Sequence, residues 1–337
     1  VHVLTQKGRG HAPAEMDSIK HMHDTSGMKS GSYTEAFSET LVKIGESNSN
    51  VVAVTAAMPD STGLLSFRER FPERCFDVGI AEQHAVTAAA GMALGGLRPV
   101  VAIYSTFLTR AIDQINLDVG LHELPVIFCI DRAGVTGDDG PSHHGLLDIS
   151  LLSKIPKMKI FAPSSYQELQ QMLEDSIEIT DGPVAIRWPK TPAPQVKWNE
   201  VGSGTDARKV IETPGKKEVC ILAAGKMLAE ALGVLKQPQG INATIWDPRI
   251  LHPLDKEMLA DAMKHKLVVT IEDGYVEGGF GSSVLSHINR EQSDCRVINL
   301  GVPLSFHSHD KPDSLLSSFG LNAVEIAKTI EQALSEI

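Results

Sequence analysis

PVIFCID (residues 125–131) is an unbroken apolar run closed by an aspartate. A strand with one wet face alternates apolar and polar residues. A run that is apolar on both sides of the pleat predicts a strand covered on both faces, the habit of parallel sheets. Upstream of it, residues 99–104 and VVAVT (51–55) read as further strands. Helical text lies between them. Residues 81–95 are alanine-rich, 108–119 follow the strand at 99–104, and 33–46 carry Phe37, Leu41 and Ile44 at helical spacing. Ser32 is the expected N-cap of that last helix, with Glu35 completing a capping box. Downstream come a strand at 159–162, a helix at 166–179 and a strand at 184–187. Strand and helix alternate throughout, which predicts a doubly wound parallel sheet.

The rhythm breaks in the Pro- and Gly-punctuated stretch that opens PKTPAPQVKWNEVGSG, then resumes with strands at 219–223, 243–246, 267–271 and 296–299. Four helices are expected among them, at 227–235, 255–264, 281–289 and 323–336. The reading is therefore α/β with two doubly wound domains, 32–190 and 216–337, joined by a linker at 191–215. Residues 1–31 open on VHVLT, expected to be a short strand, and continue as a polar linker.

Hydrophobic residues make up 42% and charged residues 22% of the 337, a globular composition. The net charge of −11, with both signs interspersed, argues against a nucleic-acid partner. No apolar run approaches the ~18 residues of a membrane span. The four cysteines lack CxxC spacing and read as reduced thiols, which suits a cytoplasmic location.

Three segments carry chemistry. FDVGIAEQHA (76–85) reads as a strand-like entry, a glycine and a helix start, which places Glu82 in the first turn of a helix, where the dipole favours a carboxylate; a simple cap is the bland alternative. YSTFLTR (104–110) sits at a strand's carboxyl end, where parallel sheets bind ligands. It offers two aromatics and an arginine, although Phe107 in the core and Arg110 in solvent would be unremarkable. DRAGVTGDDGPSHHG (131–145) follows the buried strand and has the composition of a shaped loop. The pair His143 and His144 is weak evidence for a metal. EDGYVEGGFG (272–281) suggests a phosphate cradle at a helix start, but its acids favour a structural turn at a subunit contact.

In this order and spacing, IAEQHA, YSTFLTRAIDQ and DRAGVTGDDGPSHHG resemble the 1-deoxy-D-xylulose-5-phosphate synthase family of the transketolase superfamily. The resemblance runs from KGRG to EDGYVEGGFGSSV. It implies a thiamine-diphosphate pyrimidine-binding domain followed by a transketolase C-terminal domain. It implies that pyruvate is decarboxylated and joined to D-glyceraldehyde 3-phosphate, the entry step of methylerythritol phosphate isoprenoid synthesis, by a homodimer with no membrane or nucleic-acid partner. By the same resemblance Glu82 bonds the aminopyrimidine and favours its imino tautomer. Phe107 stacks on that ring, and Ile80 adjoins it. Tyr104, Arg110, Asp139 and Lys190 face the aldehyde acceptor, with guanidinium or ammonium meeting its phosphate. His143 and His23 are proton-handling candidates, His21 lying close to the latter. Lys190 stands where relatives often have Arg followed by Gly, which loses bidentate geometry.

The family's GDG segment, followed by Asn, which holds Mg²⁺ and the diphosphate, finds no counterpart. The resemblance therefore implies an N-terminal diphosphate-binding domain elsewhere, in the same or another chain, without which this one is inactive. Two other readings stay open: a beta-type subunit of a two-chain 2-oxo-acid dehydrogenase or split transketolase, and a non-catalytic scaffold.

Overall fold

A computed structural model describes residues 1–18, 21, 29–215 and 217–337. Twelve strands are formed among these: β1 (Val51–Thr55), β2 (Cys75–Asp77), β3 (Arg98–Tyr104), β4 (Ile127–Asp131), β5 (Lys159–Phe161), β6 (Val184–Arg187), β7 (Arg208–Ile211), β8 (Val219–Ala223), β9 (Ala243–Asp247), β10 (Ile250–His252), β11 (Leu267–Tyr275) and β12 (Arg296–Val302). They make two sheets, ordered β10-β5-β6-β4-β3-β1-β2 and β12-β11-β8-β9-β7. All pairings are parallel except β10 with β5 and β7 with β9. The α/β class and both doubly wound units are thus as expected.

The apolar run that predicted β4 is buried at every position. Ile127 and Cys129 pack into a core with helices Tyr33–Ser47 and Tyr166–Glu178, while Phe128 and Ile130 face the opposite core, which includes helix Glu82–Leu94. That second core continues into the other unit through Cys220, Leu222, Trp246 and Val268. The N-cap is as read: Ser32 Oγ accepts the Glu35 N–H at 3.2 Å. Glu35 reaches back one residue further than a capping box requires, accepting the Gly31 N–H at 2.6 Å.

Several local expectations are corrected. Val1–Thr5 forms no strand and is exposed; a helix, Ala12–Met16, follows it instead. The helix expected at 108–119 begins at Ser105 and is broken into short α and 3-10 turns that end in a π-turn at Ile115–Gly120. β2 is the strand-like entry read before Glu82, whereas β7 and β10 were not expected. Most consequentially, the chain leaves β9 and lays β10 along β5, so a piece of the second unit's sequence becomes the edge of the first unit's sheet. Arg249, fully buried with φ +56°, locks that crossing. Its Nε donates to Glu168 at 2.8 Å, and its Nη1 donates to the carbonyls of Ser203, Gly204 and Asp206.

Candidate active site

In the first sheet, β1 lies between β2 and β3, so the chain leaves it on one side and returns on the other, which opens a crevice at the strands' carboxyl ends. A cleft of about 940 Å³ occupies that place. The turn after β1 (56–61), Asp77 at the end of β2, Tyr104 at the end of β3 and Arg132 just past β4 all line it. So do Ile80, Glu82, Phe107, Arg110, Asp139, His143 and Lys190. The residues assigned roles by the resemblance are therefore brought to one cavity, except His23, which lies outside the described residues. Neighbouring His21 is described, with Nδ1 3.1 Å from the Ala14 carbonyl.

Glu82 opens helix Glu82–Leu94 and is 2% exposed. Burial of a carboxylate needs compensation, which comes from the helix N-terminus and from Arg110. Arg110 Nη1 donates to Glu82 Oε1 at 2.5 Å. The same guanidinium carbon lies 4.8 Å from the Phe107 ring centre. Tyr104 stacks on Phe107 at 5.7 Å and 17°, and His143 meets Phe107 edge-on at 5.4 Å. Ile80 stands exposed at the lip.

On the other wall, Lys190 Nζ pairs with Asp139 at 2.7 Å, joining the loop after β4 to the segment after β6. His143 Nδ1 lies 2.8 Å from Ser142 Oγ, and Thr106 Oγ1 donates to the Ser142 carbonyl at 3.0 Å. His144 does not line the cleft; it is buried, its Nδ1 accepting the Thr136 N–H at 3.2 Å. Among the described residues, no group of three or more His, Cys, Asp or Glu is placed to hold a metal.

Arg132 was missed from sequence. Its guanidinium lies 3.9 Å from the Tyr104 ring centre, and Nη1 donates to the Ser61 carbonyl at 3.0 Å. Its backbone is left-handed, φ +58°. Buried Asp131 helps hold it there, accepting the Arg132 N–H at 2.6 Å and the Thr34 hydroxyl at 2.8 Å. Burial pushes the Asp131 carboxyl up, against the pull of Arg132 and these hydrogen bonds. The available signal was position: Arg132 is the first residue past the central strand. With Lys7, Arg68, Arg110 and Lys190 it makes five described cations in the cleft, against Asp60, Asp77, Glu82 and Asp139.

The glycine-rich turn is no phosphate cradle. The Phe280 and Gly281 N–H groups, which open helix Phe280–Arg290, donate to the Glu272 carboxylate at 2.9 and 2.8 Å. The helix terminus already holds an anion, and burial pushes Glu272 up to about 7.

Comparison with known proteins identifies both units. The family model described as transketolase, pyrimidine binding domain matches residues 29–195, and that of the transketolase C-terminal domain matches 208–326. The chain belongs to the transketolase family. Among curated members of that family, it is 44% identical to 1-deoxy-D-xylulose-5-phosphate synthase of Corynebacterium glutamicum and 43% identical to that of Mycobacteroides abscessus. Each match covers 98% of this chain but only 55% or 54% of the relative, so the chain spans about half the length of the curated relatives it matches. A solved transketolase described as "Split gene transketolase, inactive beta4 tetramer" superposes with TM-score 0.81 at 30% identity, covering 90% of this chain and 98% of that one. A transketolase mutant from Pichia stipitis shares the fold, with TM-score 0.75 at 14% identity over 92% of this chain and 46% of its own.

Proposed function

We propose that this transketolase-family chain forms the pyrimidine side of a thiamine-diphosphate site. Together with a diphosphate-binding domain, it joins the two-carbon unit of pyruvate to D-glyceraldehyde 3-phosphate, giving 1-deoxy-D-xylulose 5-phosphate for isoprenoid synthesis. The observation that carries the reading is a buried carboxylate, Glu82, that shares one cleft with the Phe107 ring, the two bridged by Arg110. An aminopyrimidine needs those two partners, an aromatic face and an acid at the ring nitrogen. When bound, thiamine diphosphate supplies the nucleophilic carbon that decarboxylates a 2-oxo acid and adds the remaining fragment to an aldehyde.

Glu82 holds the proton exchanged with the pyrimidine nitrogen, and Phe107 with Ile80 keeps the ring in place and water out. Arg110, Arg132 and Lys190 receive the acceptor's phosphate, which suits their charge. His143, on the same loop as Asp139, handles protons at the acceptor's carbonyl end. Tyr104 supports Phe107 and Arg132 by stacking. His23 is retained as a second proton carrier on the strength of the resemblance.

The described residues do not fit the other end of the cofactor, because Mg²⁺ and a diphosphate need a cluster of hard oxygen ligands. The proposal therefore assigns them to a further domain on the same polypeptide or a companion one, in a cytoplasmic homodimer. The split-gene relative supports the companion arrangement as the second reading. The test is Glu82→Gln and Glu82→Ala in the completed enzyme. Carboligation should fall by at least about 100-fold while the fold, followed by circular dichroism, is unchanged. Retention of most activity by the alanine variant would refute the assignment.

A further inference from the structure

The second unit does not line the cleft, but one of its buried residues touches both segments that carry cleft side chains. Asp273 lies near the carboxyl end of β11 and is 2% exposed. Its Oδ1 accepts the Val135 N–H at 3.0 Å, Lys226 Nζ lies 2.5 Å from its Oδ2, and its carbonyl accepts Arg187 Nη2 at 2.8 Å. Each first-unit contact leads to one wall of the cleft. Val135 stands at the neck of the loop that carries Asp139 and His143. That neck is closed by Gly134 and Gly145, each N–H bonding the other's carbonyl at 2.7 and 2.8 Å. Arg187 ends β6, three residues before Lys190, and its Nε is fixed by Asp148 at 2.7 Å. Asp139 and Lys190, held from these two sides, then meet at 2.7 Å.

The fit at the neck is close. Gly134 has φ +80°, and a Cβ built on it would overlap the Asp273 carboxylate. The far side of the loop is also seated on the second unit, with Gly137 against Pro312 and the Asp310 carbonyl.

We infer that Asp273 is a positioning residue: from the second unit it sets the spacing of the two cleft walls that present Asp139, His143 and Lys190. It touches no reacting group. Its effect on acceptor binding rests on the function proposed above, but its grip on the loop does not, and the two are tested separately.

On the 337-residue chain without ligand, hydrogen exchange is measured for Asp273→Ala and Asp273→Asn. Asp273→Ala removes the acceptor for Val135 and should speed exchange in peptides covering 135–144 by about tenfold or more, with the second sheet's peptides little changed. Asp273→Asn keeps an oxygen for Val135 and should restore most of the protection. Unchanged exchange in 135–144, or an equal rise across both units, overturns the inference. Should Asp273→Ala not fold, Asp273→Ser takes its place, because a hydroxyl one atom shorter does not reach the Val135 N–H. Loosening confined to the loop supports the inference, and an unaffected loop overturns it.

In the completed enzyme, Asp273→Ala should raise the KM for glyceraldehyde 3-phosphate by about tenfold while the KM for pyruvate stays within about twofold. A loosened loop with no effect on either KM leaves the positioning intact and counts against the acceptor assignment of Asp139 and Lys190.

Discussion

Offered thiamine diphosphate, the chain on its own is expected to bind with a Kd above about 1 mM. Stacking on Phe107 is worth about 1 kcal/mol, and a hydrogen bond to the buried Glu82 carboxylate about 1.5–3 kcal/mol. The carboxylate is already paired with Arg110, whose side chain is 47% exposed. Solvent screening limits the loss of that pair to about 1 kcal/mol or less. Ordering a flexible phosphorylated ligand costs at least about 4 kcal/mol. These terms leave less than the roughly 4.1 kcal/mol that a 1 mM Kd requires. The described cleft cations barely outnumber its acids, so long-range attraction adds little. Titration calorimetry with and without Mg²⁺ is the assay. Heats should be near baseline in both, and adding the diphosphate-binding domain should restore Mg²⁺-dependent binding. A micromolar Kd that needs Mg²⁺, from this chain alone, would mean that it holds a complete diphosphate site, and the division of labour proposed here would fall.

Three further outcomes are expected. In the completed enzyme, Arg110→Ala and Lys190→Ala should each raise the KM for glyceraldehyde 3-phosphate by roughly 10- to 100-fold, the loss of one charged hydrogen bond, and affect the KM for pyruvate far less, with Arg110→Ala also lowering kcat because it leaves buried Glu82 unpaired; equal effects on both KM values would assign them structural roles. Burial pushes Glu272 up to about 7, so the folded state holds its proton more tightly than the unfolded chain does. The stability this adds is complete below the unfolded carboxylate range and is lost as pH rises toward about 7. Denaturant unfolding of parent and Glu272→Gln at pH 5, 6, 7 and 8 should show the parent's relative stability declining to pH 7 and levelling off above it, whereas a constant difference would contradict the shift. Arg249→Met should cost about 3–5 kcal/mol of unfolding free energy because it strands buried Glu168 and the loop carbonyls; a loss under about 1 kcal/mol would show that the network relaxes.

Much of the fold was legible because its central strands announce themselves. A doubly covered strand such as β4 must be apolar on both sides of the pleat, and helix Tyr33–Ser47 carries its cap in the text. Strand β7 lies in the stretch read as a linker, where no alternation with helices marks it. Ile250–His252 owes its place to the open edge of β5 and the anchorage of Arg249, neither of which is local. The segment at 105–120 keeps its helical spacing in the text but is wound as successive α, 3-10 and π turns, which a 3.6-residue period does not distinguish. The cleft residues were legible by resemblance, and the topology brings them together. Arg132 was not, because its usefulness depends on a left-handed backbone held by Asp131. Asp273 was hidden for a different reason: it acts across a boundary that no run of sequence spans.

The route of β10 bears on any attempt to dissect the molecule. A first unit cut after the family-model match at residue 195 would carry β5 with one flank bare, since its edge partner lies more than fifty residues further along the chain. An open flank of backbone N–H and C=O groups is a template for another copy. Such a fragment should self-associate in solution; one ending just beyond His252 keeps that edge covered but, lacking β11, bares the flank of β8 instead, so only a chain that runs on through both sheets keeps its selvedge.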